Sequence, residues 1–236
     1  MFDYLVGLDS EVFLWLHSPH TPFWDYFMLA VTGKVIWGGM YIAILYALWR
    51  TYGLKIALIV LIATALAVLF SDQLTASFIR PSIARLRPSH PENPISDYVN
   101  LVNGYRGGPY GFPSSHASNT FAVATLLSLV FRNIRFTVAI FIWALINCYS
   151  RVYLGVHYPG DLIVGAIIGF IIGLFLYLII AVFSGKKFPG SISARNGVFI
   201  KKGRWYNPEI KVYPSDLVIL VELMTLICVI FGYLLS

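Results

Sequence analysis

Residues 162–185 read LIVGAIIGFIIGLFLYLIIAVFSG, 24 positions without a charged side chain. As a helix the run measures about 36 Å, enough to cross the roughly 30 Å hydrocarbon core of a bilayer. Its apolar residues are continuous rather than alternating, which excludes a strand of a transmembrane barrel. Outward from this run, comparable stretches occupy 34–50, 55–79, 116–132, 135–150, 161–183 and 216–235. The sequence therefore predicts an all-α, polytopic membrane bundle of about six spans, a single domain over 1–236.

Composition supports the membrane assignment. Hydrophobic residues make up 58% of the 236 and charged residues 12%, against about 25% charged in a soluble domain. Mean hydropathy is +0.75. A soluble globule would expose this apolar surface as aggregating patches, and a disordered chain does not carry it. Cys148 and Cys228 both lie in apolar runs and define no disulfide framework. The first twenty residues lack the basic start and cleavage site of a secretory signal. Segment 1–33 reads as interfacial: Asp9 and Ser10 cap a short helix with Val12, Phe13 and Leu16 on one face, and 23–29 is aromatic-rich, as headgroup-level segments are.

The net charge of +6 does not point to nucleic acid, because the basic residues sit at the ends of the apolar runs. With six spans, eleven share one side: Arg50, Lys55, Arg132, Arg135, Lys186, Lys187, Arg195, Lys201, Lys202, Arg204 and Lys211. Six lie on the other: Lys34, Arg80, Arg85, Arg87, Arg106 and Arg151. The basic-rich side is expected to be cytoplasmic. That side includes the 184–215 connection, whose cations and aromatics suit anionic headgroups.

Three polar clusters fall on the opposite, outer side. RPSIARLRP at 80–88 leaves the second span, PSSH at 113–116 enters the third, and Ser150-Arg151, His157 and Asp161 bridge the fourth and fifth. Arg80, Arg87 and Arg151 offer planar, permanently charged forks that match phosphate oxygens two at a time. Ser114 or Ser115 can cap the third span, whose first amides favour an anion. Pro159 suits the first turn of the fifth span, which puts Asp161 within reach of one ring N–H of His157 and leaves the other nitrogen as a nucleophile. His116 is a second imidazole, able to protonate a leaving oxygen. These parts describe phosphoryl transfer through a phosphohistidine, with no metal or cofactor.

Other polar residues read as structural. Arg85, Arg106 and Lys34 are taken as membrane anchors, His90 as a loop histidine, and His17 and His20 as interfacial. Asp72 and Glu222 lie within spans, where a carboxylate is expensive; Asp72 is a candidate brace for the arginines, and Glu222 has no evident partner. His116, His157 and Asp161 also compose a two-histidine, one-carboxylate metal set. Three arginines aimed at the same point would repel a divalent cation, so phosphate accounts for more of the charges.

The three motifs, Arg-x6-Arg-Pro, Pro-Ser-x-His and Ser-Arg-x5-His-x3-Asp in that order, resemble the signature motifs of the type 2 phosphatidic acid phosphatase superfamily. The resemblance implies a membrane lipid phosphatase with His157 as nucleophile, Asp161 as its orienting partner and His116 as acid. It implies that Arg80, Arg87, Ser114, Ser115 and Arg151 bind phosphate. Two residues depart from the pattern: Arg80 stands where the family usually has Lys, and Ser115 where it usually has Gly. Two spans rather than three precede the first motif, and 216–235 is an additional C-terminal span. The substrates implied are undecaprenyl diphosphate, phosphatidylglycerol phosphate, phosphatidate and the phosphates of lipid A. A bacterial inner membrane with the site facing the periplasm or exterior is the expected setting, and membrane lipids rather than nucleic acid the expected partners.

The outer loop 80–115 carries Tyr98, Tyr105, Tyr110 and Gly107-Gly108, and is expected to cover the site. A transporter or channel for an anionic solute is the alternative; it requires polar residues through the depth of the spans, whereas the fifth span is apolar throughout.

Overall fold

The computed structural model describes residues 2–183 and 213–235, all helix and connecting loop; the connection read as 184–215 lies outside the described residues up to 212. The helices are α1 (Phe2–His17), α2 (Pro22–Val31), α3 (Gly38–Tyr52), α4 (Leu54–Asp72), α5 (Arg80–Ile83), α6 (Ser115–Phe131), α7 (Ile134–Tyr153), α8 (Pro159–Phe183) and α9 (Asp216–Leu234). A π-helical segment, Gln73–Ile79, joins α4 to α5 without a break, so Leu54–Ile83 is one 30-residue rod. The Thr75 hydroxyl within it donates to the Ser71 carbonyl at 2.6 Å. Such a bulge shifts the helical register of the residues C-terminal to it, and Arg80 is the first of these.

Among the described residues, four helical stretches are long and apolar enough to cross a bilayer: Leu54–Ile83, Ile134–Tyr153, Pro159–Val182 and Asp216–Leu234. This differs from six uniform spans at two places. The predicted span at 34–50 is α3, of 15 residues, which passes only together with α2; the pair is bent by 68°. The predicted span at 116–132 is α6, of 17 residues, about 25 Å long and at the lower limit for spanning. Its length need not match the lipid because neighbours surround it: Ala122, Ala124, Leu126 and Leu127 are buried, and α4, α7 and α8 all pack against it.

Contact between α6 and α8 is made by glycine. Gly165, Gly169 and Gly173 recur every fourth residue, so they share one face of α8. A β-carbon on Gly169 would stand 2.9 Å from the Ala122 backbone nitrogen, and one on Gly173 would stand 2.5 Å from the Ala122 carbonyl oxygen. Backbone thus lies on backbone, the arrangement small residues permit between membrane helices. Because α6 begins at Ser115 and α8 begins two residues before Asp161, this seam sets the distance between the second and third motifs.

Segment 1–33 is more integrated than an interfacial strip. Helix α1 packs on α7 and α8, burying Phe13, while Tyr4, Leu5 and Trp15 stay exposed. Asp9 and Ser10 do not cap this helix; they fall in its middle, and the Asp9 carboxylate instead accepts from the Gly160 N–H of α8 at 2.8 Å. His17 is buried rather than interfacial. One ring nitrogen faces the Val152 carbonyl at 3.2 Å and the other accepts from the Asn100 N–H at 2.9 Å. Burial, and then the neighbouring His20, hold its pKa below the ordinary 6.5.

Candidate active site

The ends of α5, α6, α7 and α8 meet at one face of the bundle and bring the three motifs together. Ser114 is the N-cap of α6, its hydroxyl accepting from the Ala117 N–H. Its own N–H donates to the Asp161 carbonyl at 3.0 Å, tying the second motif to the third. Pro159 opens α8 and Asp161 lies in its first turn, as the sequence predicts.

Asp161 is fully buried, and its two oxygens are divided between partners. Oδ2 faces His157 Nδ1 at 3.3 Å and accepts from the Tyr158 N–H at 3.0 Å. Oδ1 accepts from Arg85 at 3.1 Å. His157 is itself 2% exposed. With Nδ1–H turned to the carboxylate, Nε2 carries the lone pair and accepts from Arg87 Nη1 at 3.1 Å. Burial, and then the charges of Arg87, Arg151 and Arg80, hold the His157 imidazole well below its ordinary pKa of 6.5, so the ring is neutral.

The three arginines converge around this ring. Arg87 also donates to the Val156 carbonyl at 2.8 Å; burial and the charges of Arg80 and Arg151 lower its pKa to about 10. Arg80 Nη2 donates to the Pro113 carbonyl at 3.0 Å and the Ser115 hydroxyl at 2.7 Å, and that hydroxyl also meets Thr75 at 2.8 Å. Ser115, the departure from the family's glycine, is therefore the direct partner of Arg80, the departure from its lysine. Arg151 donates to Thr32 at 2.8 Å and to the Tyr105 hydroxyl at 3.1 Å. Each of the three leaves its Nε–H buried with no hydrogen-bond partner among the described residues. Unsatisfied buried donors are costly, and an anion's oxygens would satisfy them.

His116 stands on the first turn of α6, within electrostatic reach of Arg151, His157 and Lys34, and its ring makes no hydrogen bond among the described residues. It lines a groove of about 550 Å³ that runs down between α3, α4, α6 and α7, with Lys34, Asp72 and Ser115 beside it at the end nearest the motifs. Deeper in, the walls are mostly apolar, including Leu48, Leu61 and Leu127, with Thr64 among them. Between His116 and Leu127 the groove follows α6 for about 16 Å. No three His, Cys, Asp or Glu side chains among the described residues are grouped as metal ligands.

Sequence reasoning misplaced two cations. Arg85 is not a membrane anchor: its Nη1 bridges Asp161 and Asp9, at 3.1 and 2.7 Å, with its guanidinium 3.8 Å from the Tyr158 ring centroid. Its partner Asp9 is 76 residues away, so no local spacing could reveal the pair. Lys34 lines the groove mouth rather than anchoring a span end. Arg106 turns back on the Ser89 carbonyl. Gly111, absent from the motifs, is packed so closely that a β-carbon there would stand 2.8 Å from Asp161 Oδ2. In the covering loop Tyr105 reaches the site through Arg151, Gly107 lies against the Arg87 guanidinium, and Tyr98 is 72% exposed. Asp72 faces the groove; Glu222 is buried, and its Oε2 has no hydrogen-bond partner among the described residues.

A buried imidazole–carboxylate pair ringed by guanidiniums at one end of a membrane bundle defines a membrane enzyme of phosphoryl chemistry. The chain belongs to the PAP2 superfamily, the type 2 phosphatidic acid phosphatases, whose sequence profile matches residues 56–184. It is an integral membrane phosphatase. A lipid A 4'-phosphatase of Bacteroides thetaiotaomicron is 51% identical over 179 residues, 76% of this chain and 80% of that protein. A lipid A 4'-phosphatase of Porphyromonas gingivalis is 41% identical over 175 residues, 74% of each chain. The fold is shared with the crystal structure of Aquifex aeolicus LpxE, at TM-score 0.53 and 24% identity over 72% of this chain and 94% of that one. A transmembrane PAP2-type phosphatidylglycerolphosphate phosphatase of Bacillus subtilis matches at TM-score 0.53 and 20% identity, over 77% of this chain and 86% of that one. The transport alternative gives way to hydrolysis.

Proposed function

We propose that the protein removes the 4'-phosphate of lipid A through a phosphohistidine, without a metal, at the periplasmic face of a bacterial inner membrane. The observation that carries the chemistry is the ring of three arginines, each with an unpartnered buried Nε–H, around a neutral His157 whose Nδ1 is held by Asp161. His157 Nε2 attacks phosphorus, and the bond from phosphorus to the sugar oxygen breaks as His116 gives that oxygen a proton. Arg80, Arg87, Arg151 and the amides at the α6 N-terminus, next to Ser114 and Ser115, neutralise the charge gathering on the phosphoryl oxygens. Water then attacks phosphorus, the P–N bond breaks, and its proton returns to His116.

The substrate reading is supported by the two lipid A 4'-phosphatase relatives and by the groove. An apolar channel opening beside His116 suits an acyl chain that stays in the bilayer while its phosphate enters the cluster. Lys34 at the mouth adds a cation for a doubly phosphorylated headgroup. Undecaprenyl diphosphate has less support: the Bacillus subtilis undecaprenyl-diphosphatase BcrC is 36% identical over only 64 residues.

The test is phosphate release by the purified protein from lipid A bearing one or both phosphates, undecaprenyl diphosphate, phosphatidylglycerol phosphate and phosphatidate, in detergent with EDTA. Lipid A carrying the 4'-phosphate should be preferred. An alkaline quench during turnover of ³²P-labelled substrate should trap label on the wild type and none on His157→Ala. Near-normal turnover by His157→Ala would remove the phosphohistidine, and full loss in EDTA restored by a divalent ion would remove the metal-free mechanism.

A further inference from the structure

Helix α1 lies outside residues 56–184, the part of the chain that the family profile matches, yet it supplies a side chain to the active-site network. Asp9 accepts from Arg85 Nη1 at 2.7 Å through Oδ2 and from the Gly160 N–H at 2.8 Å through Oδ1. The same Nη1 of Arg85 donates to Asp161 Oδ1 at 3.1 Å. Asp161 in turn holds His157 Nδ1 at 3.3 Å. A continuous chain therefore runs Asp9, Arg85, Asp161, His157. Side-chain exposure is 15% at Asp9 and 22% at Arg85, and none at Asp161, the buried end of the ion pairs.

Each link has a physical role. Asp161 Oδ1 has Arg85 as its hydrogen-bond donor, and a fully buried carboxylate oxygen without a donor is costly. Arg85 carries the positive charge that balances Asp161, but it arrives from the covering loop, a segment with no regular secondary structure at that position. Two things fix its guanidinium: the Tyr158 ring beneath it and the Asp9 carboxylate beyond it. Asp9 also seats the first turn of α8, on which Asp161 stands, through Gly160. A β-carbon at Gly160 would come within 2.7 Å of Asp9 Oδ2, so the Asp9 carboxylate sits directly against this turn.

We propose that Asp9 is a positioning residue for the reaction: through Arg85 it fixes the Asp161 carboxylate, and so the ring of His157, which makes the N-terminal helix part of the active site. The proposal rests on the reading of His157 as the attacking group. Asp9 touches neither substrate nor the reacting nitrogen, so its effect is on kcat more than on KM. Outer partners that orient the histidines of metal sites are worth about 10–100-fold in activity, and an effect of that order is expected for a partner that orients His157.

The experiment is a double-mutant cycle on the full-length protein in detergent, with doubly phosphorylated lipid A and p-nitrophenyl phosphate as substrates. Asp9→Asn keeps an oxygen for the Gly160 N–H but loses the charge facing Arg85; it should lower kcat roughly tenfold with KM little changed. Arg85→Gln should cost at least as much. In the double variant the loss should equal that of Arg85→Gln alone, because Asp9 acts through Arg85. Asp9→Glu, which keeps the charge, should recover part of the loss. Thermal midpoints are measured alongside; if Asp9→Asn does not fold, Asp9→Ser, a smaller cap for Gly160, carries the same comparison. Wild-type kcat in a folded Asp9→Asn, or losses that add in full in the double variant, would overturn the proposal. His157→Ala separates the two readings: turnover by it defeats the phosphohistidine, whereas an inactive His157→Ala beside a fully active Asp9→Asn defeats only the role of Asp9.

Discussion

Replacing Gly169 by alanine tests whether the glycine seam sets the active-site geometry. The new β-carbon would stand 2.9 Å from both the Ser118 carbonyl carbon and the Ala122 nitrogen, closer still to the Ser118 oxygen, whereas ordinary contact begins near 3.4 Å. Both neighbours are backbone atoms inside α6 and cannot rotate away. The helices must therefore separate by at least about 0.5 Å, the difference between the two distances. Overpacking of this kind costs about 1–3 kcal/mol. At about 2–4 °C per kcal/mol for a chain of this size, the thermal midpoint should fall by several degrees. The same displacement moves Ser114, Ser115 and His116 on α6 away from Asp161 and His157. Since a misplacement of about 1 Å can cost 10²-fold, half of that predicts roughly a tenfold loss in kcat/KM. Gly7→Ala is the control, because a β-carbon at Gly7 meets nothing within 4 Å. The assay is a thermal melt in detergent paired with phosphate release from lipid A. Unchanged turnover in Gly169→Ala, with or without a lowered midpoint, would refute the link between seam and site.

The catalytic cluster makes its own demands. His116→Ala should slow hydrolysis of lipid A, a poor leaving group, far more than that of p-nitrophenyl phosphate, and equal losses on both would remove His116 as the acid. Arg80→Lys should keep substantial activity, while Arg80→Ala loses charge-assisted bonds of about 1.5–3 kcal/mol, or roughly ten- to a hundred-and-fiftyfold in kcat/KM; comparable activity in the two would show that the charge at 80 is not needed. In the ligand-free protein the His157 ring should stay neutral as pH falls through 6.5, because burial and the Arg87, Arg151 and Arg80 charges disfavour its protonated form; histidine-labelled NMR showing protonation at or above that pH would contradict the assignment. Lys34→Ala should raise KM for doubly phosphorylated lipid A more than for the form with the 4'-phosphate alone, and an equal effect on both would detach Lys34 from the second phosphate.

Much of this protein is legible one residue at a time. A 24-residue uncharged run has one common physical solution, a membrane helix, because lipid offers the backbone no hydrogen-bond partner. The motif residues are legible because most sit at or near a helix end, where a proline, a capping serine or a first-turn carboxylate has a local reason to be, and where a short spacing such as His157 to Asp161 keeps two side chains within reach. The tertiary structure decided what depends on distant pairs. Arg85 looks like any basic residue near a span end until Asp9 and Asp161, both 76 positions away, are found on its guanidinium. The glycines at 165, 169 and 173 stand in plain view at helical spacing, but the sequence does not say that α6 is the backbone they receive. The same holds for α6 itself, short for a spanning helix and surrounded by its neighbours, and for the groove beside it, whose walls come from four helices. Hydropathy measures one segment against lipid, whereas packing and ion pairing depend on which segments meet, and that is fixed only when the whole chain has folded.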